Sequence, residues 1–217
     1  MNFLFLLPGA LLAPVIHEIT KAVTSTVQGD PTPRNRGFLT FNIFKYVEPV
    51  GFAFMLFFGG FGWGQPVPTA SLHYKNRRRA TVITHLMPIL VNLLVGIGAI
   101  IVLSRMRGMP LDLFEHAREL FLRSFEWDAE MILKMVLFGF AQCNILLALF
   151  NLIPVHPMAM SKILPQFMQP DTQVKYNHRE KTFQLILILL LVFGFIEILF
   201  FPMWERILSA VWAVNGS

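Results

Sequence analysis

Cysteine is nearly absent from this chain of 217 residues: Cys143 stands alone, so neither a disulfide framework nor a cysteine-based zinc site is available. Charge is scarce too. Only 14% of residues are charged while 55% are hydrophobic, and mean hydropathy is +0.58, a make-up that excludes an ordinary soluble domain and makes a bilayer the expected solvent. Acids are the rarer sign, 13 against 18 basic residues, for a formal charge of +5. The basic residues stand in loops between apolar runs instead of along one polar face, so they read as insertion signals, and nucleic acid is not expected as a partner. Low-complexity tracts and internal repeats are lacking, and residues 1–217 read as a single membrane domain. A basic leader is also missing from "MNFLFLLPGALLAPVIHE", which is expected to be retained as a first span and not cleaved.

What is present is apolar length. A span needs about 20 mostly apolar residues, and four segments qualify: 3–26, 81–104, 131–153 and 182–202. A fifth stretch, 49–72, is uncharged but carries Gly59, Gly60, Gly62, Gly64, Pro66 and Pro68. Basic residues flank it on both sides, Arg34, Arg36 and Lys45 before it and Lys75, Arg77, Arg78 and Arg79 after it. A crossing would put these on opposite faces, against the positive-inside bias, so a re-entrant hairpin packed against protein is expected. The acid-rich segment 105–130 then lies outside and the basic segment 154–181 inside. Within the former, Leu111, Leu113, Phe114, Ala117, Leu120, Phe121 and Phe125 have helical spacing, fitting a helix on the membrane surface or a cap on the bundle. Trp204 and Trp212 stand where an interfacial anchor belongs. The fold class expected is an all-α integral membrane protein, with four transmembrane helices, a re-entrant element and amphipathic surface helices.

Polar residues within such spans are costly, by at least about 2.5–3.5 kcal/mol each, and mark function or internal pairing. The first span contains "HEITKA", residues 17–22, and the threading brings "FNLIPVHPMAMSKIL", residues 150–164, to similar depth. In H-E-x-x-H, two histidines one turn apart bind zinc and the glutamate activates the metal-bound water; a third ligand comes from elsewhere. Here the second histidine is Lys21.

Several stretches together resemble the site-2 proteases, intramembrane zinc metalloproteases, and especially their compact bacterial members. "HEITKA" resembles the family's H-E-x-x-H-A; "GDPTPRNRGFLTFN" (29–42) its G-D-P-T leading to L-T-x-N; and "YVEPVG" (46–51) its I-D-P-I-G. "GFGWGQPVP" (60–68) is similar to G-W-x-x-P-V-P, "MPILVN" (87–92) to G-P-x-x-N, and "NLIPVHPMAMSKIL" (151–164) to N-L-L-P-x-P-P-L-D-G. The resemblance covers about residues 3–165; 166–217 add a C-terminal span and an interfacial helix. It implies that His17 matches the first zinc ligand and Glu18 the general base. Lys21 replaces the second histidine, Ala159 stands at the aspartate ligand, and Met87 and Met160 replace glycines. Asn92, Asn151 and Pro154 persist, and in the family such asparagines help hold an extended substrate.

A dipositive metal with an aspartate and a glutamate sums to zero, and so do Glu18 and Lys21. Three residues apart on a helix, these two share a face, so the Lys21 ammonium is expected near the metal's place as counter-ion to Glu18, which removes the need for a second acid. The competing arrangement has Lys21 reaching out to the interface. His156 stands where the family has proline and offers an alternative zinc site with His17 and Glu18, although Lys21 would place its charge beside the cation. His85, His116 and His178 read as packing, surface or loop residues. The expected function is a catalytically inactive homologue (pseudoprotease) without a cofactor, binding lipids and another transmembrane protein or complex in a bacterial plasma membrane. Its substrate or partner groove is expected to involve Asn92, Asn151, Pro154 and His156, with 38–48 and the re-entrant element as the edge for a partner strand. The alternatives are an active protease with an altered zinc site, and a purely structural membrane subunit.

Overall fold

The computed structural model describes residues 3–106 and 129–215; the amphipathic segment read within 105–130 lies almost wholly outside them. The described chain is helical and contains no strand. Three helices carry the architecture: α1 (Phe3–Val27), α4 (Arg77–Ser104) and α5 (Ala129–Phe150), all long and apolar enough to cross a membrane. Between α1 and α4 come a short α2 (Thr32–Asn35) and α3 (Pro49–Phe57). After α5 follow α6 (Met160–Ile163), α7 (Pro170–His178), α8 (Glu180–Val192) and α9 (Phe195–Asn215).

The three spans pack pairwise on one another, and small residues permit the closest approach. A Cβ on Gly9 would stand 2.6 Å from the Gly139 carbonyl oxygen and 2.8 Å from the Phe140 Cα, so α1 and α5 meet backbone to backbone. Between α1, α3 and α5 lie the buried side chains of Leu6, Ala10, Ala13, Met55, Cys143 and Leu147. Pro8 and Pro14 sit within α1 without ending it. It ends instead in the glycine of "GDPT": Gly29 takes φ 102°, its N–H bonds to the Thr26 carbonyl, and the Asp30 N–H bonds to that of Ser25. These are the two bonds of a Schellman cap, for which a glycine is the natural residue.

The uncharged stretch after Glu48 does turn back on itself. At nine residues, about 13 Å, α3 is too short to cross a hydrocarbon layer of about 30 Å. Gly59 and Gly60, both at positive φ, reverse the chain, and the return runs inward past Phe61, which is buried against Phe150, Phe200 and Phe201. Both basic loops therefore lie at one end of the bundle, where Ser25 Oγ and the Tyr74 hydroxyl bond at 2.8 Å.

In the C-terminal part the fourth apolar segment is bent: α8 and α9 together are long and apolar enough for one broken span but meet at 70°, and Gly194 at the break takes φ 77°, a conformation that side-chain-bearing residues rarely adopt. Trp204 is not an interfacial anchor. It is 2% exposed and packs edge-on against Phe138, 5.5 Å between ring centres, because α9 docks on α4 and α5.

Candidate functional site

"HEITKA" lies in continuous helix, so His17, Glu18 and Lys21 are held by the backbone of α1 alone. The Lys21 Nζ donates to Glu18 Oε2 at 2.7 Å, with both side chains buried. The same oxygen accepts the Val67 N–H at 2.7 Å, from the returning limb of the hairpin. "PVP" thus has a physical role: its valine supplies the one amide in that tripeptide, between two prolines that have none. The pairing expected from the spacing is present, and Lys21 does not reach away from Glu18.

These groups open onto a cavity of about 400 Å³. One wall is α1, with His17, Glu18 and Lys21; a second is the hairpin limb from Pro66 to Ser71; a third is Thr81 and His85 of α4. The turn after α5 closes it with Asn151, His156 and Ala159, and Lys162 of α6 borders it. Ala159 therefore stands beside the His-Glu-x-x-Lys face, as the motif comparison implied. Thr81 and His85 were not recognised as site residues from sequence. The signal was available: Thr81, His85 and Asn92, spaced four and seven apart, share one face of a helix.

The two asparagines are used within the fold. Asn92, fully buried, donates through Nδ2 to the Ala13 carbonyl and to Asn144 Oδ1, both at 3.0 Å, and so ties α1, α4 and α5 together. It does not line the cavity. His17 and Asn92 are neighbouring side chains, and among the described residues neither His17 Nδ1 nor Asn92 Oδ1 makes a hydrogen bond of ordinary geometry. Asn151 accepts the Ala159 N–H on Oδ1 at 3.0 Å and donates to Leu147, which shapes the turn carrying Ala159. Its amide is already engaged, so a role in holding an extended substrate would require breaking those bonds. Pro154 is exposed, and its carbonyl accepts the Tyr176 hydroxyl.

His156 faces two ways. It lines the cavity, while its Nδ1 lies 2.9 Å from Glu180 Oε1. Burial, with Lys162 and Lys21 adding to it, holds the imidazole below its usual pKa despite the raising effect of Glu180. The residues present do not fit a catalytic zinc. An ammonium at position 21 cannot coordinate while it holds its proton, Glu18 is engaged by that ammonium and by an amide, and Ala159 has no donor. Among the described residues no three His, Cys, Asp or Glu side chains converge as a metal site, and the combination of His17, His156 and Glu18 is not assembled.

Below the cavity, Asp30 is fully buried and accepts from Ser25 Oγ at 2.9 Å and from the N–H groups of Thr32 at 2.9 Å and Ala70 at 2.7 Å. Burial works against its ionisation, yet these donors outweigh it and hold the carboxyl below its usual pKa. This network fixes the loop after α1 to the hairpin limb. Residues 38–48 do not form a strand edge. The Tyr46 hydroxyl bonds the carbonyls of Phe38 and Thr40, and Lys45 Nζ those of Arg36 and Gly37 at 2.8 Å each, which curls this segment into a loop.

No family model matches the chain, and no solved structure matches it. Among curated proteins it is similar to one from Bacillus subtilis (strain 168) named "Putative zinc metalloprotease YwhC", 24% identical over 188 residues, which cover 87% of this chain and 80% of that protein. With its motifs in the order of the site-2 proteases and this likeness along most of its length, the chain resembles that family, and Lys21 and Ala159 stand where the resemblance places two of the three metal ligands.

Proposed function

We propose that this protein is a pseudoprotease: a multi-pass protein of a bacterial plasma membrane that keeps the cavity of a site-2 protease and binds a polypeptide there without cleaving it. One observation carries the reading. The Lys21 ammonium forms a 2.7 Å buried ion pair with the glutamate that would otherwise act as general base. That carboxylate accepts two hydrogen bonds on one oxygen, from the ammonium and from the Val67 amide, which engage it as a counter-ion within the fold. The partner class is another transmembrane protein or a complex containing one, with lipid around the spans.

The second reading, an active metalloprotease with an altered zinc site, draws on the name of the Bacillus relative and on the three histidines that line the cavity. A cleavage assay on a model transmembrane segment, with zinc supplied, separates the two. The pseudoprotease reading expects no cleavage by the wild type; zinc-dependent cleavage that disappears in Glu18→Gln contradicts it. If the protein is only a structural subunit, blocking the cavity leaves partner co-purification unchanged.

A further inference from the structure

The cavity has more positive than negative charge. Of the residues that line it, Glu18 and Lys21 cancel and Lys162 has no ion-pair partner among the described residues; a further acid, Glu180, is outside the lining, with its Oε1 2.9 Å from His156 Nδ1. Both lysines line the cavity together with His85 and His156, so they face a common region. Hydrogen-bonding capacity is unbalanced in the same sense. An ammonium has three N–H donors, and Lys21 uses one on Glu18. Thr81, buried on the α4 wall, has a hydroxyl with no hydrogen-bond partner among the described residues. Buried donors without acceptors are costly, and Lys162, exposed at the border of the cavity, adds a positive charge there, so an acceptor with one negative charge complements the lining.

We propose that this cavity binds a carboxylate carried by a peptide, held by Lys162 and Lys21 with the Thr81 hydroxyl as a further donor. This rests on the pseudoprotease reading, in which the cavity holds a polypeptide intact. A carboxylate brings the single charge that neutralises the lining, whereas a phosphate monoester would leave it net negative. The space, about 400 Å³, is larger than an ion needs, and Pro66, Val67 and Met158 give it an apolar side for the residue bearing the carboxylate. Two sources share this chemistry, a chain's C-terminal carboxylate and an Asp or Glu side chain.

The test uses the full chain in detergent and three acetylated tripeptides: Ala-Ala-Leu as the free acid, Ala-Asp-Leu as the C-terminal amide, and Ala-Ala-Leu as the amide. At least one of the acids should bind about ten- to a hundredfold more tightly than the neutral amide, the scale of one or two charge-assisted hydrogen bonds. Which acid does so identifies the source. In Lys162→Met, a change at an exposed side chain, the preference should fall to about twofold or less. Equal affinity for the three probes, no measurable binding, or a preference that survives Lys162→Met overturns the proposal. Mass spectrometry of the recovered probes keeps the two readings apart, since cleaved peptide contradicts the pseudoprotease reading whatever the affinities.

Discussion

At the scale of single residues, the fate of the site turns on how Glu18 is neutralised. Lys21→Met removes the ammonium and leaves a buried carboxylate, a loss expected at about 3–5 kcal/mol in detergent unfolding. The double change Glu18→Gln/Lys21→Met should cost clearly less than the two single changes summed, because the charges are removed together; additive losses would mean the pair is not coupled. Asp30 gives a pH signature. Its folded pKa lies below the ordinary value of about 3.9, so the folded state takes up this proton later than the unfolded chain does. The stabilisation is complete above about pH 4 and is lost as pH falls through the folded value, and Asp30→Asn should flatten that part of the stability curve. Much of this was legible beforehand. The i, i+3 spacing of Glu18 and Lys21 puts them on one face whatever surrounds the helix. The Val67 amide was not legible, since it comes from 49 residues away and a main-chain donor leaves no trace in side-chain identity.

At the scale of elements, the site depends on how closely α1 and α5 approach. Gly9→Ala forces a methyl group against the backbone of Gly139 and Phe140, and should destabilise by about 1–3 kcal/mol. Gly98→Ala is the control: nothing lies within 4 Å of its Cβ position, and the change should stay within about 1 kcal/mol. Equal effects at the two positions would show that the helix crossing is not close-packed. Trp204→Ala, which empties a buried site on α9, should cost about 3–5 kcal/mol in the same measurement. The three principal spans and the hairpin could be read from apolar length and from the Gly and Pro of 59–68. The bend between α8 and α9 could not. A single glycine in an apolar run is usually tolerated within a helix, and only its positive φ in the folded chain marks the break. The loop at 38–48 escaped sequence reading for a similar reason, because its strand-like residues are tied back by Tyr46 and Lys45 from within the same segment.

At the scale of the whole molecule, motifs spread over about 150 residues meet in one cavity. α1 brings His17, Glu18 and Lys21, the hairpin the Val67 amide, α4 Thr81 and His85, and the turn after α5 Asn151, His156 and Ala159. The order of the motifs made this convergence foreseeable, since each is recognisable beside the others. The use of Asn92 and Asn151 inside the fold was not foreseeable, because an asparagine that ties helices together and one that holds a substrate look alike in sequence. The proposed pseudoprotease role puts the Lys21 ammonium in the charge-balancing place of a metal. Zinc per chain after purification and dialysis against a chelator-free, zinc-containing buffer tests it most directly, with Lys21→His/Ala159→Asp measured alongside. The account predicts well under one zinc per chain in the wild type and close to one in the double variant. Stoichiometric zinc in the wild type, lost in His17→Ala, would contradict it.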